Sequence, residues 1–374
     1  MRKFASILLS GLMAGVLLTG CGGTGSAGSA PAAANSPSET AEAPAAEAPA
    51  DSTGNAAAEA SDGDNAPQEA SEESAGSETT NESVRLGSIL ALGTASPFVA
   101  KEKGYYSDAG FDVTLTEFSD GAAMMEAFAA GEIDIAFGGI IPAATWYSKG
   151  VDLKVVAGIN GGGHVVMTRA DSGINTVEDL KGKSLAAPSV GTVTDALLRD
   201  NILKNAGLNP ETDLNVIPGM KPADMATSLM ATKEVDAMIT WEPFATRAIA
   251  DYGDEIKVLF DAGPELRQNE TDPFYPVNVV IVTGDFINNH AEALDKFLRI
   301  HEDVTNYINE NPEEADNTIG EILKIDASVV NGARDRTDFS TAIDQDAAMN
   351  VLGWAYDLGY LSELPDKAEF FYQK

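Results

Sequence analysis

Three short stretches rich in Ser, Thr and Gly carry groups suited to holding a small solute. They are Gly93-Thr94-Ala95-Ser96-Pro97, Ser119-Asp120-Gly121 and Ser189-Val190-Gly191-Thr192. Each follows a strand-like run and precedes a helical one, so each presents free backbone N–H groups and the positive end of the helix dipole. In the first, Ser96 reads as a cap and Pro97 as the first helical residue. In the third, Thr192 and Asp195 fit a capping box. Hydroxyls and N–H groups at opposed helix starts form a charge-neutral anion site. Charged hydrogen bonds contribute ~1.5–3 kcal/mol each, so several together reach the ~8 kcal/mol of a micromolar site. Thr94, Ser96, Ser119, Ser189, Gly191 and Thr192 are therefore candidate ligand contacts. Each hydroxyl also has a plainer use as a helix cap; as a set converging on one cleft they favour ligand contact.

Further candidates stand beside them. Gly138 and Gly139 end a strand, where the backbone either approaches a ligand or makes a tight turn. Trp241 ends another and either stacks on a ligand or fills a core. Asn278 reaches a ligand or a hinge carbonyl, and His164 lines a cleft or serves as a satisfied structural histidine. Catalytic alternatives fare worse. Gly182-Lys183-Ser184 resembles the end of a phosphate-binding loop, but position 177 is Val and a strand follows, where that loop requires Gly and a helix. Ala187-Pro188-Ser189-Val190-Gly191 resembles a nucleophile elbow, which makes Ser189 of a serine hydrolase the rival reading. Its histidine would be His290 or His301, both placed on a long helix rather than a loop. A third reading is an adhesin or structural lipoprotein.

The elements that position these residues alternate. Strands are expected at 84–90, 111–118, 133–137, 153–159 and 164–168, with helices over 98–106 and 122–130. The alternation restarts with a strand at 184–187 and a helix over 192–206, then strands at 214–217, 237–240 and 256–260. This predicts an α/β chain with mainly parallel sheets, occurring twice. After a strand at 277–282 the pattern turns helical: 285–309, 312–323 and 341–358. Lobe I is expected to comprise 84–171 and 277–374, and lobe II 172–276. The two crossings are drawn near Ala170-Asp171 and Pro276-Val277, making a hinge and a cleft.

Charge and cysteine use bound the rest. The chain has 374 residues, a net charge of −34, three His and one Cys. That balance argues against a nucleic-acid partner. The Cys and His counts leave no disulfide and no thiolate- or histidine-built metal site, and no cofactor is expected. Arg2-Lys3 followed by the apolar run Phe4 to Leu18 reads as a signal peptide over 1–20. Leu18-Thr19-Gly20-Cys21 resembles the bacterial lipoprotein processing motif, which implies cleavage before Cys21 and a diacylglycerol on its sulfur. Residues 22–82 lack Leu, Ile, Val, Met, Phe, Tyr and Trp and hold twelve acids and no bases. The segment 21–83 is thus expected to be a lipidated, disordered tether with an end-to-end distance of about 45 Å.

Five segments in register resemble the substrate-binding lipoproteins of ABC importers, in the sulfonate, taurine, nitrate and thiamine-pyrimidine branch. They are Ala100-Lys101-Glu102-Lys103-Gly104-Tyr105-Tyr106 with Gly110-Phe111-Asp112-Val113, Gly131-Glu132-Ile133-Asp134-Ile135-Ala136 before Gly138-Gly139, Val177-Glu178-Asp179-Leu180-Lys181-Gly182-Lys183, Gly191-Thr192, and Val235-Asp236-Ala237 with Trp241-Glu242-Pro243. The resemblance implies a type II periplasmic-binding-protein fold with two α/β lobes, a two-crossing hinge and a helical C-terminal tail. It implies that the segment at Gly191-Thr192 touches ligand, which adds Thr194 to the candidates. It also implies a non-enzyme that captures a small oxyanion and passes it to an ABC permease and its ATPase. A lipid-anchored monomer on the extracytoplasmic face of the bacterial membrane is expected. Since no Arg or Lys is placed in the cleft, a singly charged or zwitterionic solute is favoured, with a pyrimidine-type heterocycle as the alternative.

Overall fold

The computed structural model describes residues 82–118, 121–267 and 273–373. Cys21, the expected leader, residues 21–81 of the expected tether and Ser119 lie outside the described residues, while the last two tether positions, Glu82 and Ser83, belong to the first strand. Eleven strands are described: β1 (Glu82–Ile89), β2 (Phe111–Phe118), β3 (Ile135–Gly139), β4 (Leu153–Gly162), β5 (His164–Arg169), β6 (Ser184–Ala186), β7 (Asn215–Ile217), β8 (Ala237–Trp241), β9 (Ile256–Asp261), β10 (Pro276–Thr283) and β11 (Thr337–Phe339). They form two sheets, ordered β11-β4-β10-β3-β1-β2 and β7-β6-β8-β5-β9.

Alternation along the strands feeds a core on each face. In β10, Val280 and Val282 pack with Leu86, Phe137 and Phe297 on one side of the first sheet. Val279 and Ile281 pack with Met124, Phe128 and Ile140 on the other. The second sheet repeats this, with Val166 and Ile239 on one face and Val165, Met167 and Met238 on the other. All of these side chains are at most 1% exposed, and each contributes about 1.5–3 kcal/mol by burial. The long C-terminal helix Ala291–Glu310 places Phe297, Ile300, Val304 and Ile308 inward at helical spacing.

Three expectations are corrected. The sheets are mixed rather than mainly parallel: β1–β2, β1–β3, β6–β7 and β6–β8 run parallel. By contrast β10 is antiparallel to β3 and β4, β11 to β4, and β5 to β8 and β9. The physical reason is that β5 and β10 enter their sheets from the other sheet, not through a local crossover helix, so strand–helix alternation does not set their direction. Next, β5 belongs to the second sheet, so the chain leaves the first at Gly162-Gly163 and not at Ala170-Asp171. Both glycines have positive φ, +69° and +88°, which lets the backbone turn between sheets without the Cβ clash of other residues. Finally, β11 interrupts the expected helical tail and pairs with Gly162, Gly161 and Asn160. At three residues it is too short to show alternation.

Candidate functional site

Several of the expected site positions converge at one end of the interior strands of the first sheet. Gly139, at the end of β3, is paired with Asn278 near the start of β10. The Asn278 amide donates to Asn160 Oδ1 on β4 at 2.7 Å, and Asn160 Nδ2 donates to Thr337 Oγ1 at 3.2 Å. On its other side Asn160 abuts the turn after β1, where a Cβ on Gly93 would lie 2.9 Å from the Asn160 amide. The helix start of the second sheet arrives at the same end: a Cβ on Gly139 would lie 3.8 Å from Val193 Cγ2. Gly93 and Asn278 thus both meet Asn160, Gly139 pairs with Asn278, and the Thr192-capped turn meets Gly139 through Val193.

The hydroxyls divide by role. Thr94 Oγ1 donates to the Ile89 carbonyl at 2.6 Å and closes its own turn. Ser96 is not the cap that its position suggests: Ala95 holds the N-cap position and makes no side-chain bond. Ser96 is the first helical residue, and Pro97 after it has no N–H to be capped. Its hydroxyl is buried without a hydrogen-bond partner, and so is that of Thr240, one residue before Trp241. A buried, unpaired hydroxyl is costly, and both stand beside expected site segments.

At the third turn Thr192 caps as expected, accepting the Asp195 N–H at 3.2 Å while donating to the Ser189 carbonyl at 2.9 Å. The reciprocal bond is shifted by one residue, from the Gly191 N–H to Asp195 Oδ2. Asp195 is fully buried and also takes Arg199 Nε at 2.7 Å and the Tyr360 hydroxyl at 2.5 Å. One N–H of this turn is thus engaged by the chain's own carboxylate, and the turn has fewer free donors than its sequence suggests. Thr194 is buried behind it, and Ser189 is exposed. The two histidines weighed as partners of a nucleophilic Ser189 are engaged elsewhere: His290 meets Glu82 and His301 the Gly158 carbonyl.

Trp241 is half-buried, pairs with His164 across β8 and β5, and meets Phe244 edge-on. His164, its cross-strand partner, is buried and hydrogen-bonded to the Tyr275 hydroxyl at 2.6 Å, a structural role; burial lowers its pKa to about 3. Glu242, next in the chain, is 3% exposed, and desolvation raises its pKa to about 7 despite the Thr246 N–H and Arg336 beside it.

A cavity of about 330 Å³ opens beside these strand ends, lined by Asn160, Phe274, Asn278, Asp338, Ser340 and Asp344 with neighbouring backbone. Its volume lies at the small end of solute pockets. No Lys or Arg is among its described lining residues. Asp338 accepts the N–H groups of Gly161 at 3.0 Å and Phe274 at 3.4 Å, yet burial still raises its pKa. Of the expected contacts among the described residues, only Asn278 lines this cavity; Gly138, Gly139 and Trp241 do not. Sequence reasoning missed Asn160, Thr240, Asp338 and Arg336. An Asn inside the glycine-rich run 158–163 was a signal for the first; a short β11 hid the last two.

Two sheets, exchanged strands at two crossings and loop-borne polar groups at the strand ends define a binding-protein fold of the periplasmic type. The periplasmic aliphatic sulphonate binding protein of Escherichia coli has the same fold, with a TM-score of 0.65 at 21% identity over 78% of this chain and 92% of that one. The chain belongs to the NMT1/THI5 like family, whose model matches residues 94–315. Similar relatives include a Brucella abortus protein named as a candidate binding protein, 29% identical over 73% of this chain and 83% of its own length. Another is a candidate aliphatic sulfonates-binding protein of Bacillus subtilis, 26% identical over 72% and 79%.

Proposed function

We propose that this chain is the extracytoplasmic solute-binding component of an ABC importer, held to the membrane by a lipid on Cys21. It captures a small sulfonate-, taurine- or nitrate-like oxyanion between its lobes and delivers it to a permease. The observation that carries this reading is the meeting of Gly93, Gly139 and Asn278 of the first sheet with the Val193 helix start of the second, a place from which one solute would reach both sheets. A solute that bridges them stabilises the closed arrangement by its differential affinity for it. Names of relatives that specify sulfonates support the ligand class.

The site's charge narrows that class. Asp338 and Asp344 along the cavity, with no Lys or Arg among its described lining residues, leave little place for a doubly negative ligand. The solute is singly charged or zwitterionic, with its oxyanion toward Ser96 and its neutral or cationic end toward the carboxylates. The test is a thermal-shift and calorimetric screen of the purified chain against alkanesulfonates, taurine, nitrate, bicarbonate and pyrimidines. A rise in Tm with a sulfonate, taurine or nitrate supports the reading. A response to pyrimidines alone moves the ligand to the heterocycle class, and a response to sugars or peptides alone rejects the site chemistry.

A further inference from the structure

We propose that Arg336 is a positioning residue that ties the second sheet to the first across the Gly162–Gly163 crossing and sets how far the sheets part. Its backbone leads into β11 on the first sheet, but its side chain serves the second. Nε donates to Asp261 Oδ2 at the end of β9 at 2.7 Å. Nη1 donates to Glu242 Oε1 after β8 at 3.4 Å and to Thr246 Oγ1 at 3.5 Å. The Arg336 carbonyl accepts the Gly163 N–H at 2.8 Å, and the Gly163 carbonyl accepts the Glu242 N–H at 2.9 Å. The crossing glycine is therefore bonded on one side to Arg336 and on the other to Arg336's own ionic partner.

The surroundings reinforce the tie. The Arg336 carbonyl also packs against Gly162, and a Cβ on Gly263 would lie 3.3 Å from it. One residue thus stands between the outgoing and returning crossings. Just before it, Gly332 in the helix Ala327–Ala333 abuts Thr246 in the helix Phe244–Tyr252: a Cβ there would lie 2.9 Å from Thr246 Cγ2. Glu242 has only 1% of its side chain exposed and Arg336 21%, so the pair is largely shielded from solvent. A relative rotation of the sheets must stretch these bonds, and Trp241, adjacent to Glu242, moves with them.

The consequence for solute uptake rests on the proposed function; the tie itself is tested without solute. Amide hydrogen exchange is measured on the full ligand-free chain for wild type, Arg336→Gln, Arg336→Lys and Asp261→Asn. In Arg336→Gln the amides of Gly163 and Glu242 are expected to exchange at least about tenfold faster, with Val166 and Ile239 at the sheet centre unchanged. Arg336→Lys restores part of the protection. Asp261→Asn, which keeps the guanidinium and removes one ion pair, gives a smaller acceleration at the same amides. Unchanged exchange at Gly163 and Glu242, or equal acceleration at all four amides, overturns the proposal. So does a failure of Lys to restore any protection. If Arg336→Gln does not fold, Asp261→Asn alone decides by the same criterion.

Discussion

Asn278 donates its side-chain amide to Asn160 Oδ1 at 2.7 Å, joining β10 to β4 where the chain passes between sheets. Asn160 bonds in turn to Thr337 on β11 and packs against Gly93 in the turn after β1. Four parts of the chain distant in sequence therefore share one polar centre, 8% exposed at Asn160. A buried side chain with partners on both ends fixes loop positions that apolar packing alone leaves free.

Removing Asn160 leaves the Asn278 amide without its acceptor and takes one donor from the Thr337 hydroxyl, which keeps its bond to the Gly161 carbonyl. Asn160→Ala is expected to lower stability by about 1–3 kcal/mol and to weaken solute binding. Chemical denaturation and calorimetry measure the two effects.

Ser96 should behave in the opposite sense for stability. Its hydroxyl is buried without a partner, so Ser96→Ala is expected to leave stability unchanged or raise it by up to about 1 kcal/mol. Solute affinity, in contrast, falls by about tenfold or more as a charged hydrogen bond is lost. Parallel Tm and calorimetric titrations separate the two quantities.

Glu242 has its pKa raised to about 7 from the ordinary 4.5. A raised value means that the folded state favours the neutral carboxyl. Its contribution is complete below pH 4.5 and is lost as pH rises through about 7. Glu242→Gln lacks this loss, so its stability relative to wild type should increase between pH 5 and pH 8, by up to about 3 kcal/mol. Denaturant midpoints across that range give the sign directly.

His301 titrates the other way. Burial lowers its pKa to about 4, while it bonds the Gly158 carbonyl at 2.7 Å. Its stabilisation is present above pH 6.5 and is lost as pH falls through 4, amounting to up to about 3 kcal/mol. NMR titration of the imidazole should show it neutral at pH 5.5; a charged ring at that pH contradicts the assignment.

The legible parts of this chain were those governed by local periodicity. Leu86, Phe137 and Val280 announce buried strands by their alternation, and Thr192 with Asp195 announces a helix start. Strand direction was not legible, because β5 and β10 take theirs from the other sheet. Nor was Arg336, a lone arginine before a three-residue strand, whose partners Glu242 and Asp261 are 94 and 75 residues away. Thr94 shows a third limit: a hydroxyl in a site-like turn turned inward to Ile89, a choice that depends on the loop's closure and not on its composition.

The most direct test is a crystal structure of the chain with the solute identified by the thermal screen. That solute is expected between the two sheets, touching Ser96 and Asn278 from the first and the Thr192 turn or Trp241 from the second. A solute bound on an outer surface, with both of these regions untouched, contradicts it.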